Sequence, residues 1–498
     1  MLNASRFPPE VLGDIFRRNV TFDGAFGGPE GRSHNFLLVC HHWFQVALHT
    51  PGVWTSWGNN LWDWEKQHYR YPTAPLNLVL AARWPEEDVP SDSLLNALRD
   101  RASRDNIQCI HLSSVDPPLL GSILSQLNAD CGGIRTSSVE SVVVYDEGDY
   151  PSTDVSRYFT HHHFPKLRRL ELHQCDITSW DTITLQAPLL TTLTLVLNKS
   201  SHTPTTSQLI SILRSSPALR EITLYTGAIP DDADIESRPR VPLHLLKKLE
   251  LLGGVRDVFG LLRHLDHPAT MDRLTINVSD CTVWDISETI GSYLREYLRR
   301  RGKSSGLGVY LHSRDHISLN ISGVGSIGYH SPRPSSADVF VEVDIWPGRG
   351  FPRDLLQGVS LDLTTNIPRE EILYFGVHLI SIPAGAVFAR FPRLRVLHFK
   401  RTPLHTTFPN PTSDRDGEVL ASLQHVILDH MAVPNDDWSP LTVFLTRHAA
   451  GGNQLGTLEV VEPEKISTLV RTNTCKIGPG AKESIRRVVG ELKVTTVD

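Results

Sequence analysis

Long apolar runs are absent from this 498-residue chain. None reaches the roughly 18 residues that a membrane-crossing helix needs, so no such helix is expected. The N-terminus, MLNASRFPPEVLGD, has no basic flank leading into an apolar stretch, so no secretory leader is expected. Cysteine is scarce: six scattered residues and no C-x-x-C pair. Such usage reads as reduced, mostly buried thiols in a cytoplasmic or nuclear protein rather than a disulfide framework. An excess of positive charge is missing too, with 49 basic against 55 acidic residues, a formal net charge of −6 and a pI of about 6.4. That balance argues against bulk binding of nucleic acid or of an acidic membrane. With no leader expected, the sequons at Asn3, Asn19, Asn198, Asn277 and Asn320 are read as chance matches.

What the chain does have is a recurring motif, beginning near residue 76. In register it reads LRRLELHQCDI (167–177), LTTLTLVLN (190–198), LREITLYTGAI (219–229), LKKLELLGG (246–254) and MDRLTINV (271–278). Later copies are LQGVSLDL (356–363), LRVLHFKRTPL (394–404), LQHVILDHMAV (423–433) and LGTLEVV (455–461), and IQCIHLSS (107–114) and VESVVVYD (139–146) fit the template earlier. The shared apolar-x-x-apolar-x-apolar core predicts a short strand with alternating faces. Anchor spacings from Leu170 to Leu193, Ile222, Leu249 and Leu274 average 26 residues, inside the range of about 20–29 for leucine-rich repeats. Helix-like pieces such as TSQLISILRSSP separate the strands, and Pro165, Pro188, Pro217, Pro268 and Pro392 punctuate the units.

Strand plus helix at this period predicts an α/β fold: an irregular leucine-rich-repeat solenoid, curved, with parallel strands on the concave side. The Asn that usually bonds the neighbouring turn's backbone is present at Asn198; elsewhere its place is taken by Cys175, Gly227, Thr402 or Met431. Residues 303–352 break the period with Gly/Ser/Pro-rich text and read as an irregular insertion or distorted repeats. Four segments follow: 1–64, a first repeat run 65–302, the insertion 303–352, and a second repeat run 353–498.

The first segment has a different texture. PPEVLGDIFRRN predicts a helix with proline in its first turn and Leu12, Ile15 and Phe16 as its apolar stripe, Val11 beside them. A glycine-rich connector (21–33) follows. Then FLLVCHHWFQVALHTPGVW places Val39, Trp43, Val46 and Ala47 on one helical face, stopped by Pro51 and Gly52, with Trp54 just beyond.

Together these residues resemble an F-box: Phe7-Pro8-Pro9-Glu10-Val11-Leu12, Ile15-Phe16, Leu37-Leu38-Val39-Cys40-His41-His42-Trp43 and Trp54 follow its L-P-x-E-I-L opening, V-C-basic-x-W helix and late tryptophan. Phe7 stands where leucine is usual, and the connector is longer than usual. TPGVWTSW resembles the F-box ends common in large fungal families, which also precede degenerate leucine-rich repeats. The resemblance covers roughly a tenth of the chain and implies a short all-helical unit. By the same resemblance, that unit is expected to dock a Skp-family adaptor and, through it, a cullin-based ubiquitin ligase, while the repeats hold a protein substrate. It carries over Phe7, Pro8, Val11, Leu12, Ile15, Val39, Cys40 and Trp43 as adaptor-facing; part of this set could instead pack the unit's own core. The rival expectation is a leucine-rich interaction scaffold outside any ligase, with a degenerate F-box.

Other signals lead nowhere. Gly323–Gly328 matches G-x-G-x-x-G, but YHSPRPSS follows where a phosphate-binding helix would have to start. RRRGKSSG has Tyr297 where a Walker loop needs its first glycine. His161, His162 and His163 are adjacent and lack acidic partners at ligand spacing. No G-x-S-x-G or H-E-x-x-H occurs, so no catalytic residue, metal site or cofactor is expected. The strand positions opposite the leucines (Arg169, Glu171, His173, Thr192, Thr194, Glu221, Thr223, Tyr225, Lys248, Glu250, Arg273, Thr275, Asn277, then His398, Lys400, His425 and Asp429) form either a solvated face or a protein-binding one. In the second case Arg169, Tyr225, Lys248 and Arg273 are the candidate anchors.

Overall fold

The computed structural model describes residues 7–20, 39–48, 50, 56–57, 76–81, 107–113, 119–123, 138–146, 154–156, 166–181, 187–198, 202–225, 227–231, 240–282, 285–302, 307–313, 317–323, 339–347, 367–378, 387, 391–408, 422–431, 433, 437–450, 455–463 and 477–497. The chain divides into two compact units, one of residues 1–246 with 260–267 and one of 247–259 with 268–498. This division differs from the four segments read from the sequence.

The first unit opens with α1 (Pro9–Val20) and α2 (His41–Leu48). Leu12 and Phe16 of α1 meet Val46 and Ala47 of α2 in a small core, flanked by Ile15 and Trp43. The Phe16 and Trp43 rings meet edge-on, 5.3 Å between centroids. The helix α2 is shorter than its apolar pattern implied: its first turn closes from Phe44 N to Cys40 O (3.1 Å), leaving Val39 outside it and exposed. The connector 21–33, Leu37, Leu38 and Trp54 lie outside the described residues.

A parallel ladder follows: β1 (Ser56–Trp57), β2 (Leu76–Ala81), β3 (Ile107–Ser113), β4 (Ser141–Tyr145), β5 (Arg169–His173), β6 (Thr192–Val196) and, after α3 (Thr206–Arg214), β7 (Glu221–Leu224). Leu170, Leu193 and Ile222 fall in register, as their spacing predicted. Each repeat is delivered to its strand by a tight turn. Leu190 N donates to Ala187 O (3.0 Å) and Leu219 N to Ser216 O (3.3 Å), with Pro188 and Pro217 at the second turn position, where a fixed φ suits the geometry. The helix α3 starts in a capping box: Thr205 Oγ1 accepts from Gln208 N (3.3 Å) and Thr205 N donates to Gln208 Oε1 (2.7 Å). It buries Leu209, Ile210, Ile212 and Leu213, each worth about 1.5–3 kcal/mol of transfer free energy. The short β8 (Val241–Pro242) follows.

In the second unit, β9 (Lys248–Gly254) precedes α4 (Val255–His264), of which residues 260–264 belong to the first unit, and β10 (Leu265–Asp266) of the first unit then pairs with β8. Then come β11 (Arg273–Cys281), α5 (Gly291–Arg301), β12 (Leu307–Ser313), β13 (Ile317–Gly323), β14 (Val339–Pro347), β15 (Ile372–His378), β16 (Val396–Lys400), α6 (Leu404–Thr407), β17 (His425–Asp429), α7 (Ser439–Ala450), β18 (Leu455–Pro463), α8 (Pro479–Arg486) and β19 (Val489–Val497). The pairings run β9–β11–β14–β13–β12–β15–β16–β17–β18–β19, all parallel except that β13 is antiparallel to both β12 and β14. Segment 303–352 therefore holds three strands where the sequence read as irregular. Its apolar residues do alternate, but the intervening Gly/Ser-rich connections hide the period. LQGVSLDL lies outside the described residues, as do residues 324–328 of the glycine motif and His161–His163.

The turns that end the strands repeat as well. Gln174 (φ 57°), Arg401 (φ 50°) and His430 (φ 53°) each adopt the left-handed conformation immediately after β5, β16 and β17, and Gly227 (φ 92°) does so after β7. Their amides reach the next repeat: Gln174 N to Val196 O (2.5 Å), Arg401 N to Asp429 O (2.8 Å) and His430 N to Val461 O (3.1 Å). The Asn198 side-chain amide donates to Gln174 O, the neighbour-turn bond expected of it. At the equivalent position Thr402 Oγ1 contacts Met431 Sδ at 3.2 Å, both buried. The result is a mixed α/β protein built on in-register parallel strands, consistent with leucine-rich-repeat stacking. Among the described residues no helix is long and apolar enough to cross a membrane.

Candidate interaction surfaces

The helical pair divides the F-box-like residues in two. Leu12 is fully buried, and Ile15 and Trp43 pack against the same core. Phe7, Val11 and Val39 are exposed at 39%, 44% and 50%, Pro8 is exposed and Cys40 half-buried. Phe44, which the sequence reading did not single out, is exposed too. Phe7 and Val11 are four residues apart at the start of α1. The Phe7 carbonyl lies 3.3 Å from His42 Nε2, which sets the residue leading into α1 beside the first turn of α2. The signal that could have marked Phe44 was its offset of two residues from the buried Val46, which puts it on the far side of the helix.

On the first unit's ladder, residues opposite the leucines line up in rows: Cys109, Ser141, Arg169, Thr192 and Glu221 in one, His111, Val143, Glu171, Thr194 and Thr223 in the next. Arg169 is half-exposed and donates through Nε to Glu171 Oε1 (2.7 Å), while His173 Nε2 lies 3.6 Å from the other carboxylate oxygen. Burial alone would raise the Glu171 pKa; His173 and Arg169 outweigh it and lower it. A ring stack runs alongside, Tyr145 on His173 at 4.0 Å and His111 on Tyr145 at 5.6 Å. Tyr225 follows β7 and donates its amide to Leu195 O (3.0 Å), two strands from Arg169, so the two anchors are not neighbours. Lys248 and Arg273 belong to the second unit and are register partners on β9 and β11. The Arg273 guanidinium Nε donates to Thr275 Oγ1 (3.2 Å).

The second unit corrects the expectation of a solvated face. His398, His425 and Asp429, at 0%, 8% and 3% exposure, are buried. Parallel neighbours stack about 4.8 Å apart, so long polar side chains close over one another. Lys400 Nζ sits 2.5 Å from Asp429 Oδ2, His430 Nδ1 contacts Asp429 Oδ1, and His398 Nε2 lies 3.7 Å away, beyond hydrogen-bond range. Tyr374 Oη and His398 Nδ1 are 2.8 Å apart. Burial would raise the Asp429 pKa, but His398, Lys400 and His430 hold its carboxyl well below the usual range. His425, 3.6 Å from Glu459, has its pKa lowered by burial against the opposing pull of that carboxylate. Tyr374, His398 and Asp429 are all buried. Among the described residues no three His, Cys, Asp or Glu side chains converge to hold a metal.

No protein-family profile matches the chain, and no curated protein matches it in sequence. A solved structure described as "Crystal structure of LRIM1/APL1C complex" aligns with 79% of this chain at 10% identity and a TM-score of 0.18. The chain spans 59% of that structure's length, and a score so low carries no weight. The fold rests on the ladders and turns above.

Proposed function

We propose that this chain is the substrate-recognition subunit of a Skp–cullin–F-box ubiquitin ligase, a non-catalytic receptor that docks the adaptor through α1 and α2 and a protein target through the repeats. The observation that carries the reading is the division within α1 and α2. Leu12, Phe16, Val46 and Ala47 close a core while Phe7, Val11, Val39 and Phe44, at or beside motif positions, keep large apolar surface in water. Exposed apolar side chains at helical spacing suit helix-in-groove association. Recruitment would work by raising the target's effective concentration beside the charged ubiquitin carrier. On the repeats, the half-exposed Arg169 with Tyr225, and Lys248 with Arg273, are the candidate target contacts, each pair within its own unit.

Co-expression of the full chain with a Skp-family adaptor tests the reading. Stoichiometric co-purification is expected, lost in a Phe7→Asp, Val39→Asp double variant that keeps wild-type melting. A wild-type chain that retains no adaptor at any expression level would leave the scaffold reading in its place.

A further inference from the structure

Outside the helical pair, two large apolar side chains stay exposed among the described residues of the first unit: Leu189 at 42% and Leu245 at 53%. They occupy the same place in the repeat. Each is the third residue of a four-residue turn leading into a strand, closed from Leu190 N to Ala187 O and from Leu246 N to Leu243 O, both 3.0 Å. In the turn between them, Ser216–Leu219, that third place is taken by the half-buried Ala218, and the exposed apolar residue is Pro217 at the second place. Adjacency follows from the packing: β6 pairs with β7, and α3, which leads into the Ser216 turn, packs on β8, which leads into the Leu243 turn. The first two turn tips therefore sit side by side, about 4.8 Å apart, and the contact of α3 with β8 draws the third turn toward them.

The fold does not need leucine there. Lys166, one residue before Leu167, holds the place that Leu189 holds before Leu190, and it is exposed. Leu189 and Leu245, at alternate repeats with the exposed Pro217 between them, are the apolar part of a candidate contact surface. Its flank is positive. Arg168 and Arg220 hold the position just before β5 and β7, their amides bonded to Glu140 O and Thr191 O. Neither Lys166 nor Arg220 has an ion-pair partner among the described residues, and Glu140, 3.6 Å from Arg168, offsets one charge of the three.

We propose that this edge of the first unit docks an acidic amphipathic segment of a partner protein. The segment's apolar side chains cover Leu189, Pro217 and Leu245, and its carboxylates meet Lys166, Arg168 and Arg220. Charge complementarity selects an acidic over a basic segment. The inference names the partner chemistry for the recruiting role of the repeats and rests on that part of the functional reading, not on the adaptor.

The test pans a random dodecapeptide display library on the immobilised full chain, then titrates the enriched peptide in synthetic form. Enrichment of Asp/Glu-rich sequences with interspersed Leu or Phe is expected. Their Kd should rise about tenfold or more in a Leu189→Ser, Leu245→Ser variant. An Arg168→Glu, Arg220→Glu variant should turn the selection toward Lys and Arg. Both variants keep wild-type melting. Enrichment of basic or uncharged sequences, an unchanged Kd in the leucine variant, or no enrichment would overturn the proposal. Acidic selection by a chain that captures no Skp-family adaptor would support the ridge while contradicting the ligase reading.

Discussion

In the first unit, β6 and β7 alternate strictly between buried leucine or isoleucine and half-exposed polar residues. In the second, β15 and β17 are buried at every position, on both faces. Left-handed residues follow β5 and β7 in the first unit and β16 and β17 in the second, yet the polar faces of these ladders differ in exposure. Thr194, Thr223 and the half-exposed Arg169 remain reachable. Asp429 is buried against Lys400 and His430 with His398 close by, and His425 is buried beside Glu459. A repeat can thus spend its polar face on recognition or on internal cohesion, and here the first unit retains the freedom to recognise.

The sharpest way to break the contrast is to remove the Asp429 carboxylate. Asp429→Ala leaves Lys400 and its histidine neighbours enclosed without their anion, and a loss of about 3–5 kcal/mol is expected from urea unfolding of the second unit. Glu171→Ala also removes a buried carboxylate, but the Arg169 it leaves behind can turn into water, so a smaller loss of about 1–2 kcal/mol is expected. Equal losses would erase the distinction.

Acid should separate the units as well. His425 and His448 have lowered pKa values in the fold because of burial. The unfolded chain therefore takes up protons first, and their contribution, complete above about pH 6.5, is lost as pH falls through that value. Glu171 and Asp154 in the first unit, also lowered, lose theirs only near and below about pH 4. Peptide-resolved hydrogen exchange, corrected for intrinsic rates, should show the segments around His425 and His448 loosening between neutral pH and about pH 5 while those around Glu171 and Asp154 hold. Uniform loosening would contradict the contrast.

Smaller effects probe what the units share. Asn198→Ala removes one side-chain bond to Gln174 O and should cost about 1 kcal/mol. Arg401→Gly relieves a left-handed residue at the price of a looser unfolded chain, for a net gain of about 0.5 kcal/mol in thermal unfolding.

Much of this was legible in the sequence. The spacing of Leu170, Leu193 and Ile222 announced their register, and Pro188, Pro217 and Pro392 marked the turns, because a strand's period of two and proline's fixed φ are local properties. Leu12 and Phe16 could be placed in a helix for the same reason. The burial of His398 and Asp429 was not legible: periodicity tells which face a residue takes, not what crowds it. Nor was the division between Val11 and Leu12, adjacent in a motif that names both, since only the position of α2 decides which one packs inside. The strands of 303–352 were obscured by glycine and serine between them, and the antiparallel turn at β13 breaks the repeat that would have revealed them.

That adjacent pair offers the most direct measurement. Val11→Asp and Leu12→Asp place the same charge one residue apart on α1, the first on its exposed side and the second in its core. If this helical unit docks a Skp-family adaptor, Val11→Asp keeps the wild-type protease resistance of the first sixty residues or so and loses adaptor capture, while Leu12→Asp loses both. A Val11→Asp chain that captures the adaptor as well as wild type would contradict the docking surface at its centre.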